Sequence, residues 1–161
     1  MSTVYIGIGS NLGNRQKNCL RAIELLEKRG IIIKERSSMY ETEPWGIENQ
    51  PKFINMAVKI ETRLNPNKLL NILKDIETEI GRIDFFTWGP RIIDIDILLV
   101  DNIILNSDNL KIPHPLMHKR DFVLQPLCEI APDIKHPLFK LSINELLQKL
   151  LKKSKSGHGV Y

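Results

Sequence analysis

Two aspartates stand two residues apart in Trp88-Gly89-Pro90-Arg91-Ile92-Ile93-Asp94-Ile95-Asp96-Ile97-Leu98-Leu99, a run that is otherwise largely apolar and β-branched. Side chains along a strand alternate between faces, so Ile93, Ile95, Ile97 and Leu99 share one face, and Asp94 and Asp96 share the other about 7 Å apart. Carboxylates gathered on a half-buried sheet lose hydration and repel one another unless a cation stands between them. A ligand set made only of oxygen points to Mg²⁺, which fills its shell with phosphates and water and serves phosphoryl transfer. Spacing alone leaves a second reading open, an edge strand with its acids in water.

Other residues nearby carry complementary chemistry. Arg82, after Gly81, and Arg91, after Gly89-Pro90, bracket one loop, and their guanidinium groups can grip phosphate oxygens bidentately or stand as plain surface charges. His114 is held between Pro113 and Pro115, with His118, Lys119 and Arg120 following, a group of donors suited to nucleotide phosphates or to a merely structural loop. His136 and His158 have no comparable company. Gly7-Ile8-Gly9-Ser10-Asn11-Leu12-Gly13 lacks both the P-loop lysine and the dinucleotide-binding spacing, so it reads first as a tight strand-to-helix turn. Phe53 and Phe122 fit a core equally well, but with Asn55 they could clamp a flat heterocycle.

These residues need a scaffold, and periodicity predicts one. Residues 4–9 read as a strand and residues 15–29 as an amphipathic helix stopped by Gly30. A strand over 31–41 leads into a Pro- and Gly-marked loop over 42–51, and residues 53–62 alternate as a third strand. Asn65 as N-cap, Pro66 at the first helical position, an apolar stripe from Leu69 to Ile80 and Gly81 as terminator define a second helix before the acidic strand. The order β-α-β-β-α-β predicts an α+β, ferredoxin-like antiparallel sheet with helices packed on it. C-terminal additions are expected, namely a short strand over 103–105 and a helix through Leu151 opened by the capping box Ser142 to Glu145.

A chain of 161 residues, 42% apolar and 26% charged, predicts one packed domain over 1–161 rather than a disordered or fibrous protein. Lys152, Lys153 and Lys155 carry three of the four net positive charges, leaving the body at about +1. That weakens any nucleic-acid role, and residues 152–161 read as a frayed basic tail. With no membrane-spanning run and no secretory signal pattern, a cytoplasmic location is expected. Cys19 and Cys128 sit in helix-like apolar patterns and read as reduced core thiols.

Several segments match a known family in order along residues 4–138. They are Gly9-Ser10-Asn11-Leu12-Gly13, Thr42-Glu43-Pro44-Trp45-Gly46, Phe53-Ile54-Asn55, Glu77 with Gly81-Arg82, Trp88 to Ile97, Pro113-His114-Pro115 and Arg120-Asp121-Phe122-Val123-Leu124. Together they resemble the 6-hydroxymethyl-7,8-dihydropterin pyrophosphokinases. The resemblance implies the ferredoxin-like fold and transfer of the pyrophosphoryl group of ATP to the pterin's hydroxymethyl oxygen, releasing AMP, in folate biosynthesis. It further implies two Mg²⁺ ions on Asp94 and Asp96, phosphate contacts from Arg82 and Arg91, and a nucleotide site shaped by Glu77, Trp88, Arg91, Ile97, His114 and Arg120. The pterin would lie between Phe53 and Phe122, its edge read by Asn55 and by groups near Thr42, Pro44 and Trp45. ATP and the pterin are the expected partners of a monomer, with neither nucleic acid nor membrane. A non-enzymatic alternative is a ferredoxin-like RNA-binding module, although no basic-aromatic strand motif is present.

Two departures from the family pattern stand out. Members usually carry further Arg or Lys between the two arginine motifs, whereas Ile83-Asp84-Phe85-Phe86-Thr87 has no base and one acid. Either Lys74, Lys111 or Lys119 compensates, or Phe85 and Phe86 pack as an apolar lid. Phe53 is often Tyr in the family, and the replacement keeps the stacking face without the hydroxyl.

Overall fold

The structure is a computed structural model that describes residues 1–42, 50–83 and 89–158. Pro44, Trp45, Phe85, Phe86 and Trp88 therefore lie outside the described residues. The chain runs β1 (Ser2–Ser10), α1 (Arg15–Lys28), β2 (Ile32–Arg36), β3 (Tyr40–Thr42), β4 (Phe53–Thr62), α2 (Pro66–Ile80) and β5 (Asp94–Val100). Beyond these come a two-stranded β6 (Leu105–Asn106) and β7 (Lys111–Ile112), a 3₁₀ turn at Met117–Lys119, α3 (Asp121–Ile130) and α4 (Ile143–His158). The main sheet is antiparallel in the order β2-β4-β1-β5, with β3 also paired to β4.

Local chemistry explains the boundaries. The Asn65 side chain accepts the Lys68 N–H at 2.9 Å, Pro66 opens α2, and Gly81 closes it in the left-handed region at φ 114°, where a Cβ would be strained. The Ser142 hydroxyl accepts the Glu145 N–H while the Glu145 carboxylate accepts the Ser142 N–H, both at 3.0 Å, completing the expected capping box of α4. That helix continues through the basic stretch to His158 instead of stopping at Leu151.

The sheet separates two apolar layers. Val4, Ile6 and Ile8 of β1 pack with α1 and α2 on one face, together with Ile93, Ile95 and Ile97. On the other face, Tyr5 and Ala57 pack against Met117, Leu124, Leu127 and Ile143 of the C-terminal helical layer. The expected face pattern of β5 fails at its far end. Tyr5 pairs with Leu99 but Ile6 with Ile97, so Leu98 is an extra residue in the ladder, and Leu98 and Leu99 both join the C-terminal layer. Among the described residues, no helix is long and apolar enough to cross a membrane.

Three further expectations need correction. The strand expected over 31–41 is split, because Ser37 both donates its N–H to the Ala57 carbonyl and accepts the Ala57 N–H on its hydroxyl, each at 2.8 Å. Its side chain takes over a bond that an extended backbone would have made. The short strand expected over 103–105 is instead Leu105–Asn106, paired with Lys111–Ile112. Cys19 is fully buried as expected, but Cys128 is only partly covered.

Candidate functional site

The sheet face that carries the C-terminal helices is left uncovered at one end, where β1 contributes Gly7 and Gly9. Gly9 pairs with Asn55 on one side and Asp94 on the other, and Gly7 pairs with Ala57 and Asp96. A Cβ on Gly9 would stand 2.8 Å from the Asn55 Oδ1. The two glycines thus act as a cleared floor within a strand, not as a turn or a phosphate loop.

Over this floor lies a cleft that opens to solvent at its mouth. Thr42, Phe53, Asn55 and Phe122 line it, so the residues expected around the heterocycle come together. The Asn55 amide donates to the Thr42 hydroxyl at 2.7 Å, which fixes its orientation. Phe122 enters from the first turn of α3, with the Arg120 guanidinium 5.6 Å from its ring centroid. The sequence marks this helix only through the helix-like apolar pattern around Cys128, with Pro126 inside it.

A second cleft opens at the outer edge of β5. It is lined by Leu70, Lys74, Glu77 and Arg82 from α2 and its end, by His114, and by Arg91, Asp94, Ile95, Asp96 and Arg120. Arg91, Asp94, Asp96 and Arg120 line both clefts, so the charged group stands where the two meet. The Arg82 Nη1 donates to Glu77 Oε2 at 2.7 Å and to Asp94 Oδ1 at 3.2 Å, and the Arg91 Nη1 donates to Asp94 Oδ2 at 3.2 Å. Ile97, expected at the nucleotide, is 4% exposed in the α1/α2 core and lines neither cleft. Trp88, Pro44 and Trp45 fall outside the described residues.

The acids differ in their surroundings. Burial first, and then the negative charges of Asp94 and Glu77, push the Asp96 carboxyl up to about 8. Glu77 is raised chiefly by burial, although its carboxylate also accepts the Ile95 N–H at 2.8 Å. His114 is lowered to about 4, by burial and then by Arg120. It is therefore neutral near pH 7, and with Nδ1 accepting the Leu116 N–H its proton sits on Nε2. His136 is structural, with its Nδ1 accepting the Leu138 and Phe139 N–H groups.

Aspartates 94 and 96 fit a divalent cation on this geometry. They are adjacent acidic side chains on one face, and protonating Asp96 is the alternative to supplying a counter-charge. No group of three or more metal-ligating side chains occurs among the described residues, so the rest of a shell would come from ligand oxygens and water, as Mg²⁺ prefers. Of the three lysines considered as substitutes for the missing loop bases, Lys74 lines the second cleft, whereas Lys111 and Lys119 line neither.

The comparisons agree on one family. A family model described as 7,8-dihydro-6-hydroxymethylpterin-pyrophosphokinase matches residues 5–132. The 2-amino-4-hydroxy-6-hydroxymethyldihydropteridine pyrophosphokinase of Aquifex aeolicus is 46% identical over 145 residues, covering 90% of each chain. The folic acid synthesis protein FOL1 of Dictyostelium discoideum is 45% identical over 143 residues, 89% of this chain but 22% of that protein. Among solved structures, Plasmodium falciparum HPPK-DHPS with pteroate superposes at a TM-score of 0.79 with 19% identity, over 98% of this chain and 44% of the other, a likeness of fold.

Proposed function

Because the chain belongs to the 7,8-dihydro-6-hydroxymethylpterin-pyrophosphokinase family, we propose that it transfers the β,γ-pyrophosphoryl group of ATP to the hydroxymethyl oxygen of 6-hydroxymethyl-7,8-dihydropterin and releases AMP. It is an ATP-dependent pyrophosphokinase of folate biosynthesis. The observation that carries the detailed reading is the sharing of Arg91, Asp94, Asp96 and Arg120 by two clefts, since a group passed between two substrates must cross such a junction.

In this reading the pterin occupies the cleft of Phe53, Asn55, Thr42 and Phe122, and the nucleotide the cleft of Lys74, Glu77, Arg82 and His114. Asn55, fixed by Thr42, hydrogen-bonds the pterin edge, and a wrong base leaves that buried amide unpaired at a cost of roughly 1–3 kcal/mol. Arg82 and Arg91, already directed onto Asp94, have only a short distance to swing onto phosphate oxygens. His114 donates from Nε2, and Arg120 holds positive charge at the junction of the clefts. Asp94 and Asp96 would hold two Mg²⁺ ions, which when bound neutralise phosphate charge and polarise the phosphorus under attack. The chain's own part is positioning, and no covalent intermediate on the protein is needed.

The order β2-β4-β1-β5 with two helices on one face supports the ferredoxin-like description. Residues 1–161 are read as one domain that works as a monomer in the cytoplasm. An RNA-binding sheet surface is disfavoured, because α3 and α4 cover part of that face. Incubation with ATP, Mg²⁺ and the pterin should yield AMP in step with pyrophosphorylated pterin. Formation of ADP, or no product that depends on the pterin, would overturn the proposal.

A further inference from the structure

Glu129 lies near the C-terminal end of α3, two turns and about 10 Å along the same helix face from Phe122. Its carboxylate accepts the Tyr40 hydroxyl at 2.6 Å, the Ser38 N–H at 3.0 and 3.2 Å on its two oxygens, and the Ser38 hydroxyl at 3.4 Å. Chiefly through the Tyr40 bond, the Glu129 carboxyl is held below its usual range, and the same bond pushes the Tyr40 phenol up to about 12. The link is therefore a phenol donating to a carboxylate throughout the neutral range. Neither Tyr40 nor Glu129 lines either cleft.

Both partners carry ligand-facing side chains at their other ends. β3 is three residues long and pairs with β4, Tyr40 opposite Asn55 and Thr42 opposite Phe53. Opposed residues of a ladder point to the same face, so Tyr40, Thr42, Phe53 and Asn55 share the face on which α3 packs. Thr42, two residues past Tyr40, accepts the Asn55 amide at 2.7 Å. At the far end of the link, Phe122 enters the cleft from the first turn of α3. A lone surface contact contributes little. Here the donors come from one short segment and converge on one carboxylate, tying the helix that carries Phe122 to the strand that fixes Asn55.

A flat ring held between Phe53 and Phe122 needs their faces roughly 7 Å apart, twice the carbon contact distance of about 3.5 Å. An excess of about 0.5–1 Å on one side forfeits roughly a quarter to a half of the contact energy there. We propose that Tyr40 and Glu129 are positioning residues for heterocycle binding, because their link fixes α3 against β3 and so sets the spacing of Phe122 from Phe53; this rests on the assignment of that cleft to the pterin.

The test measures pterin affinity by calorimetry on the full chain with saturating Mg²⁺ and α,β-methylene-ATP, and nucleotide affinity separately without pterin. Tyr40→Phe removes one oxygen and leaves the ring. It should weaken pterin binding about three- to fivefold, the loss of part of one stacked face, and leave nucleotide affinity within about twofold. Glu129→Leu should show at least the same loss, whereas Glu129→Gln keeps an oxygen for the Tyr40 hydroxyl and should recover most of it. In a Phe122→Leu background the link has no ring to place, and Tyr40→Phe should then cost less than about 1.5-fold. A general weakening of the fold would subtract its full loss in either background. If Glu129→Leu or Phe122→Leu cannot be measured, Tyr40→Phe decides through its pterin and nucleotide affinities alone. Wild-type pterin affinity in Tyr40→Phe, an equal fall in nucleotide affinity, or an undiminished loss in the Phe122→Leu background would overturn the link. Failure of wild type to bind the pterin defeats the cleft assignment and this inference with it, whereas normal wild-type binding with any of those three results defeats the link alone.

Discussion

Replacing Gly9 with alanine should separate activity from stability. Gly9 is not in the left-handed region, so alanine fits its backbone and recovers up to about 0.5–1 kcal/mol of strand stability. The new Cβ, however, would sit 2.8 Å from Asn55 Oδ1, short of the 3.4 Å at which contact becomes ordinary. Asn55 cannot simply turn aside, because its amide is committed to Thr42 at 2.7 Å. Its carboxamide must retreat by roughly 0.6 Å, which takes a hydrogen bond of typical length out of its favourable range. Loss of one such recognition bond costs roughly 1–3 kcal/mol, a fall of about 5- to 150-fold in kcat/KM for the pterin. A coupled assay for AMP against pterin concentration, paired with a thermal melt, reads both quantities. Gly7→Ala is the control, because its Cβ meets Leu98 Cδ1 at an ordinary 3.5 Å and should have the smaller effect. Wild-type kcat/KM in Gly9→Ala, or a loss fully accounted for by unfolding, would refute the view that these glycines clear the floor for Asn55.

Two further outcomes are expected. Asp96 has its folded pKa raised to about 8, above that of the unfolded chain, so its contribution to stability is full below about pH 4 and is lost as pH rises through about 8. Asp96→Asn should therefore gain melting temperature relative to wild type between about pH 5 and pH 8 in metal-free buffer, while turnover falls by on the order of a thousandfold; an advantage that does not vary with pH would contradict this. Lys74→Ala should raise the KM for ATP about fivefold, the worth of roughly 1 kcal/mol of charge-assisted contact, and leave the KM for pterin alone; equal rises in both would remove Lys74 from the nucleotide cleft.

Legibility in the sequence followed the range of the interactions. α2 is readable at both ends because Asn65, Pro66 and Gly81 act within a turn of themselves, and the Ser142/Glu145 box is equally local. The pairing of Asp94 with Asp96 on one face is likewise a matter of period two. What escapes is set by partners far away in sequence. The register slip at Leu98 moves Leu99 to the opposite layer, and no alternation rule marks where a ladder will slip. Ser37 interrupts a strand only because Ala57 lies across from it, and Asn11 reads as one polar residue in a turn until Arg91 and Pro51 surround it. Gly7 and Gly9 did carry a signal, since two glycines alternating with isoleucines in a strand mark a face stripped of side chains.

β5 stands at one end of the main sheet. An end strand offers backbone groups to any passing chain, yet the Ile95 N–H is occupied by the Glu77 carboxylate and the Leu98 carbonyl accepts the His114 N–H at 3.0 Å. Two residues expected at the nucleotide thus also seal the sheet against adhesion to a neighbouring copy. Loss of the Glu77 carboxylate unseals one of those backbone groups, so variants at this position carry an aggregation risk during folding that is separate from their effect on catalysis.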